Sequence, residues 1–205
     1  MVERRGARAA AVLLALLAWA ALLLQLHLTL DATRALGGGT GEALLLLGGY
    51  FTILTNLFVA VCAGAQAWAP GSRLAGASLR GCATTAIVLV GLGYHLLLRD
   101  VWDPQGAQRV ADNLLHYAVP AVALAHWLWY PPRGPLPAWS PLAWALYPAA
   151  YVAYALVRGE WLGQYPYPFI DVAALGYPRV SANVACLLLV HLATGVLLRW
   201  LASRR

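Results

Sequence analysis

Apolar residues occur along this chain in six long blocks, at about 8–30, 43–69, 81–98, 107–130, 140–157 and 180–201, separated by short polar breaks. Runs near or beyond ~18 residues with few charges read as membrane-spanning helices and not as the core of a soluble domain. The pattern predicts an all-α polytopic membrane protein, a six-transmembrane-helix bundle forming one domain over residues 1–205. The first block follows an Arg-rich start, as a signal peptide does. It is longer than a signal-peptide apolar core and no clear small-residue cleavage site precedes the second block, so it is expected to remain as a helix.

The breaks differ in kind. Gly37-Gly38-Gly39-Thr40-Gly41 is a flexible connection, while Pro131-Pro132-Arg133-Gly134-Pro135 is a stiff turn that stops the fourth block. The segment from Trp161 to Asp171 is aromatic, Pro-broken and apolar enough to lie in the membrane interface, where it either anchors the bundle as an aromatic belt or caps a cavity. No repeat relates the two halves of the chain, which disfavours an inverted-repeat transporter.

Composition agrees with the pattern. Hydrophobic residues make up 61% of the chain and charged ones 11%, against roughly half and a quarter in a soluble domain, so a water-soluble core is excluded. The formal charge of +6 raises the question of an acidic partner such as nucleic acid. The 14 cationic residues, all Arg, sit at the ends of the apolar blocks, so the charge concerns membrane orientation and no nucleic-acid partner is expected. With the termini on one side, that side holds nine Arg against one acid, Glu3, while the other holds five Arg against seven acids. Both termini are therefore expected to be cytoplasmic, in the plasma membrane, which is the inner membrane in a bacterium. Cys62, Cys82 and Cys186 show no CxxC spacing and read as small buried hydrophobes.

Polar side chains inside spans are costly and so carry the most information. Thr52 and Asn56, four apart in the second block, share a helical face with Thr55 beside them. In the fourth block Asp112, Asn113, His116 and Pro120 recur at spacings of three and four, so that Asp112 can orient His116. Taken as continuous helices entering from one side, the two blocks place Thr52 and His116 each about nine residues deep, roughly 14 Å. A hydroxyl, an imidazole to take its proton, a carboxylate to fix the tautomer and amides (Asn56 or Asn113) to steady an oxyanion are the parts of nucleophilic acyl transfer. Thr55 is a rival nucleophile. Each has a plainer role, since membrane Thr often bonds the carbonyl one turn back and His–Asp pairs also tie helices together. His27, His126 and His191 read as interfacial or core histidines, while Tyr94 and His95 lie toward the same outer half as the polar faces. No HExxH, paired carboxylates or Cys–His cluster occurs, and no metal or other cofactor is expected.

Tyr50-Phe51-Thr52 with Asn56, Asn113-Leu114-Leu115-His116 with Pro120, and Tyr167-Pro168-Phe169-Ile170-Asp171 together resemble, in order and approximate spacing, the androgen-induced-protein family, which includes the androgen-dependent TFPI-regulating protein and bacterial six-span relatives. The resemblance extends over most of the chain. It implies a transmembrane threonine hydrolase that cleaves fatty acid esters of hydroxy fatty acids or similar lipids, with Thr52 and His116 catalytic. The chain departs from the family pattern at Tyr117, where a Thr is usual, in lacking a second nearby His, and in a His-to-Pro spacing one residue shorter. The expectation is a hydrolase of membrane lipid esters, with Asp112, Asn56, Asn113 and Thr55 in support and Tyr50, Tyr94, His95, Tyr165, Tyr167, Phe169 and Asp171 as substrate or lid residues. A lipid-binding protein or small transporter using the same polar pocket is the alternative.

Overall fold

In a bilayer, helices associate through close packing and not by escape from water, so small residues are expected between helices and large apolar ones outside. The computed structural model, which describes residues 2–132 and 136–204, has this arrangement. Helix α1 (Val2–Ala35) buries Ala11, Ala15, Ala18 and Ala21 against the bundle, chiefly against α3 (Phe51–Trp68), whose Val59, Ala60, Ala63 and Ala67 are also buried. Leu13, Leu142, Leu146 and Leu189 point outward, each more than half exposed. The described residues form helices and no strands, and five of the helices are long and apolar enough to cross a membrane.

The remaining elements are α2 (Thr40–Gly48), α4 (Ala77–Gly93) continuing through a π-turn at Tyr94–Leu98, α5 (Gly106–Asn113), a π-turn at Leu114–Ala118, α6 (Val119–Trp129), α7 (Ser140–Leu162) and α8 (Val172–Ser203). α5, its π-turn and α6 form one unbroken helical run over 106–129, which is long enough for a span but carries Arg109, Asp112, Asn113, His116 and His126. Part of the Pro131–Pro135 turn, at 133–135, lies outside the described residues, as do the side chains of Glu3 and Arg4 and all of Arg205.

Four sequence expectations change. The block at 43–69 is not one helix: α2 stops at Gly48, Tyr50 is extended, and α3 restarts at Phe51. Carbonyls freed by such a break need partners where water is scarce. α7 supplies them, with Tyr151 Oη donating to Gly49 O at 2.8 Å, Tyr154 Oη to Gly48 O at 3.1 Å and Arg158 Nη2 to Leu45 O at 3.0 Å. Second, α7 runs on from 157 to Leu162, where Gly163 takes a left-handed conformation at φ 66° that a side chain would oppose. Third, α8 begins at Val172, ahead of the expected 180, capped by Asp171 and kinked at non-helical Gly176 before Pro178. Fourth, Cys186 is exposed on α8, whereas Cys62 and Cys82 are buried as expected.

Close approach of α4 and α7 depends on Gly81, where a Cβ would stand 2.2 Å from the buried Trp144 ring. Gly81→Ala is therefore expected to lower the thermal midpoint of the purified protein by about 5 °C, in line with overpacking of ~1–3 kcal/mol. An unchanged midpoint in differential scanning fluorimetry contradicts this packing.

Candidate active site

The break between α2 and α3 places Thr52 in the first turn of α3, where backbone N–H groups have no partner within the helix and the helix dipole is positive. Its depth is thus not the nine residues of uninterrupted helix expected from the sequence. Thr52 is buried, its Oγ1 lies 3.3 Å from His116 Nε2, and its N–H donates to Tyr167 Oη at 3.3 Å. Tyr167 Oη is also 3.4 Å from Thr52 Oγ1.

His116 sits in the π-turn that joins α5 to α6, an irregularity often found at functional sites. Its Nδ1 faces two acceptors, the Asp112 backbone carbonyl at 3.0 Å and Asp112 Oδ1 at 3.1 Å. The hydrogen bond is directed to the carbonyl, so Oδ1 acts on the ring by charge and accepts no hydrogen bond of its own. With both acceptors on that side, the neutral ring carries its proton on Nδ1 and offers the Nε2 lone pair to the Thr52 hydroxyl. The other carboxylate oxygen, Oδ2, accepts from Tyr94 Oη at 2.5 Å. The Tyr94 ring stacks on the imidazole, with centroids 3.9 Å apart and planes inclined by 15°. Tyr94 thus holds both the His and its acid, a role beyond the lid position expected of it.

Other expected residues separate into those at the site and those outside it. Asn56 is wholly buried and gives its amide protons to Thr52 O at 2.8 Å and Leu115 O at 3.3 Å, so it ties α3 to the 106–129 run and has no proton left for an oxyanion. Asn113 is exposed and contributes nothing to the site. Thr55 is buried but pairs with Tyr147 Oη at 3.2 Å, on the α7 side of α3. His95 is exposed beside Tyr117 and Arg99 and lies outside the walls of the cavities beside Thr52. Tyr165 is half-buried, bonds Glu160 and also stays off the cavity, while Asp171 accepts from Ala174 N as the cap of α8. Tyr50 and Tyr167 line the site, and Phe169 stacks on Tyr167 with ring centroids 5.1 Å apart. The aromatic 161–171 segment therefore divides: Trp161 faces outward at 80% exposure, while Tyr167 and Ile170 are buried, and Asn183 Nδ2 holds Phe169 O at 2.9 Å.

Two spaces meet at Thr52. A chamber of about 470 Å³ is bounded by Tyr50, Thr52, Trp102, Asp112, His116 and Tyr167, and its far end carries Gln25, Thr29 and Gln108. A smaller crevice of about 70 Å³ on the other side is lined by apolar and aromatic groups, among them Leu89, Tyr151, Phe169, Ile170 and Leu187. The chamber falls within the size range of small-molecule sites. Gln25, Trp102 and Gln108 were not foreseen. The signal for Gln108 was present, because it precedes Asp112 by the same four residues that separate Asp112 from His116.

No protein-family model, curated protein or solved structure matches this chain.

Proposed function

We propose that this chain is an intramembrane lipid ester hydrolase, with Thr52 as nucleophile and His116 as general base. The observation that carries this reading is the chain of contacts from Thr52 Oγ1 to His116 Nε2 and from His116 Nδ1 to Asp112, at the wall of a large, mainly apolar chamber. In the proposed topology the α2–α3 pair makes one crossing and the 106–129 run another, giving six spans with cytoplasmic termini, as the distribution of Arg favours.

In the reaction, His116 Nε2 takes the Thr52 hydroxyl proton as Oγ1 attacks the ester carbonyl. Negative charge gathers on the carbonyl oxygen, which would take over the Thr52 N–H, at the positive end of α3, from Tyr167 Oη and accept a second bond from the Tyr167 hydroxyl thus released. Asp112 stabilises the imidazolium and keeps it oriented. The tetrahedral intermediate collapses by breaking the bond to the alcohol oxygen, which receives the proton from His116, and an acyl-Thr52 ester remains. Water, deprotonated by His116, then attacks that ester, and fatty acid leaves as Oγ1 regains its proton. The apolar crevice beside Thr52 suits the first few carbons of the acyl chain, the rest of which would extend beyond it between the helices or into lipid.

The test is capture of the acyl intermediate. Purified protein mixed with a long-chain p-nitrophenyl ester and quenched in acid is expected to gain one acyl mass, mapped by peptide fragmentation to Thr52. An adduct on Thr55 overturns the nucleophile assignment. Ester recovered intact from a saturable complex, with no adduct, indicates a lipid carrier instead.

A further inference from the structure

The far end of the chamber has its own chemistry. Gln25 and Thr29 are one turn apart on α1, and Gln25 Nε2 donates to Thr29 Oγ1 at 3.1 Å. Gln108, on the facing α5, donates from Nε2 to Gln25 Oε1 at 2.9 Å. These bonds leave one N–H on each amide and the Gln108 carbonyl oxygen without a protein partner among the described residues, so donors and an acceptor are offered together. Gln108, Asp112 and His116 follow at intervals of four, which puts this amide pair one turn from the carboxylate and two from the base.

The electrostatics narrow the ligand further. Asp112 is the single formally charged side chain among the described residues that line the chamber. Of the five arginines at the same end of the bundle, Arg34 pairs with Asp31, Arg99 with Asp100, Arg109 with Asp103 and the Pro104 carbonyl, and Arg158 donates to the Leu45 carbonyl, while Arg179 is exposed on α8; none of them lines the chamber. An anionic group drawn into the chamber would meet no cation on its walls and would lie within a turn of a carboxylate, a costly position in a low dielectric. An aliphatic hydroxyl both gives and takes hydrogen bonds and matches the amide pair.

We infer that the Gln25–Gln108 pair is a headgroup subsite for an uncharged, hydroxyl-bearing alcohol portion of the ester, such as a glycerol, and that esters with a free carboxylate on the alcohol portion are disfavoured, among them the fatty acid esters of hydroxy fatty acids that the family resemblance implies. That the ligand is an ester rests on the hydrolase reading, but binding at the subsite does not require Thr52 chemistry.

The experiment therefore uses ligands that cannot be hydrolysed. Affinities of the purified full chain in nanodiscs are measured for 1-O-hexadecylglycerol, 1-methoxyhexadecane and hexadecanoate. The wild type is expected to bind the glycerol ether about tenfold more tightly than hexadecanoate. Gln108→Leu is expected to weaken the glycerol ether about fivefold while leaving the methoxy compound unchanged, and Gln108→Arg to move the preference toward hexadecanoate. Gln25→Leu serves as the second test of the pair if Gln108→Leu does not fold, with size-exclusion profiles reporting integrity. Hexadecanoate bound as tightly as the glycerol ether by the wild type, or equal loss for all three ligands in a well-folded Gln variant, overturns the subsite. Ester recovered intact with no acyl adduct on any residue would end the hydrolase reading and leave this binding result standing.

Discussion

Thr52→Ala is expected to lower kcat for lipid ester hydrolysis by about a thousandfold or more, and His116→Ala by a similar factor, with the double variant little worse than either. The non-additivity follows from geometry. The hydroxyl is a poor nucleophile unless its proton has a destination, and the atom 3.3 Å away, His116 Nε2, is that destination. Once either partner is gone, the other has no task. Thr52→Ser keeps the oxygen and is expected to stay within about tenfold of wild type. Thr55→Val, in contrast, removes a hydroxyl held by Tyr147 and should change kcat little. The assay is fatty acid release from a panel of ester lipids at saturating substrate. Full activity in both Thr52→Ala and His116→Ala would dismiss the site, and loss in Thr55→Val alone would transfer the nucleophile to that residue.

Tyr167→Phe is the second large effect. The Tyr167 hydroxyl lies 3.4 Å from Thr52 Oγ1 and accepts the Thr52 N–H, so it borders the region where the oxygen of an attacked carbonyl would develop charge and can donate to that oxygen once the N–H turns to it. Removing one donor from such a position costs about a hundred- to a thousandfold in kcat. Because the charge is fully developed only in the transition state, KM is expected to change much less. Phenylalanine preserves the stack on Phe169 and the edge contact with Tyr50, whose ring centroids lie 5.1 and 5.9 Å away, so loss of packing does not account for the effect. Steady-state kinetics separate the two possibilities: a rise in KM with kcat intact would make Tyr167 a substrate-packing residue and leave the oxyanion to the Thr52 N–H.

The polar side chains that converge were largely legible in the sequence because a membrane span tolerates few of them. Thr52, Asp112 and His116 stood out against apolar blocks, and helical spacing placed Asp112 and His116 on one face. The same spacing argument also implicated Asn113, and position in the outer half implicated His95; both turn away to exposed positions. Periodicity gives the relative direction of side chains on one helix. It does not give the rotation of that helix against its neighbours, and the π-turns at 94–98 and 114–118 change the phase of each face by a residue. Asn56 was rightly placed near Thr52 but wrongly given an oxyanion to bind, since the carbonyls that take its protons were not visible in one dimension.

By itself the sequence determined an all-helical chain with several helices apolar enough for a membrane, and it determined which few polar groups require explanation, because both follow from local composition and the cost of polarity in hydrocarbon. The tertiary structure alone decided that the second block breaks at Tyr50. A break there is paid for by carbonyl partners on α7, a hundred residues away in the chain, and no local signal announces them. That break puts the first turn of α3 beside His116 and Tyr167, and it is long-range packing that turns a polar residue in a span into a hydroxyl facing a base.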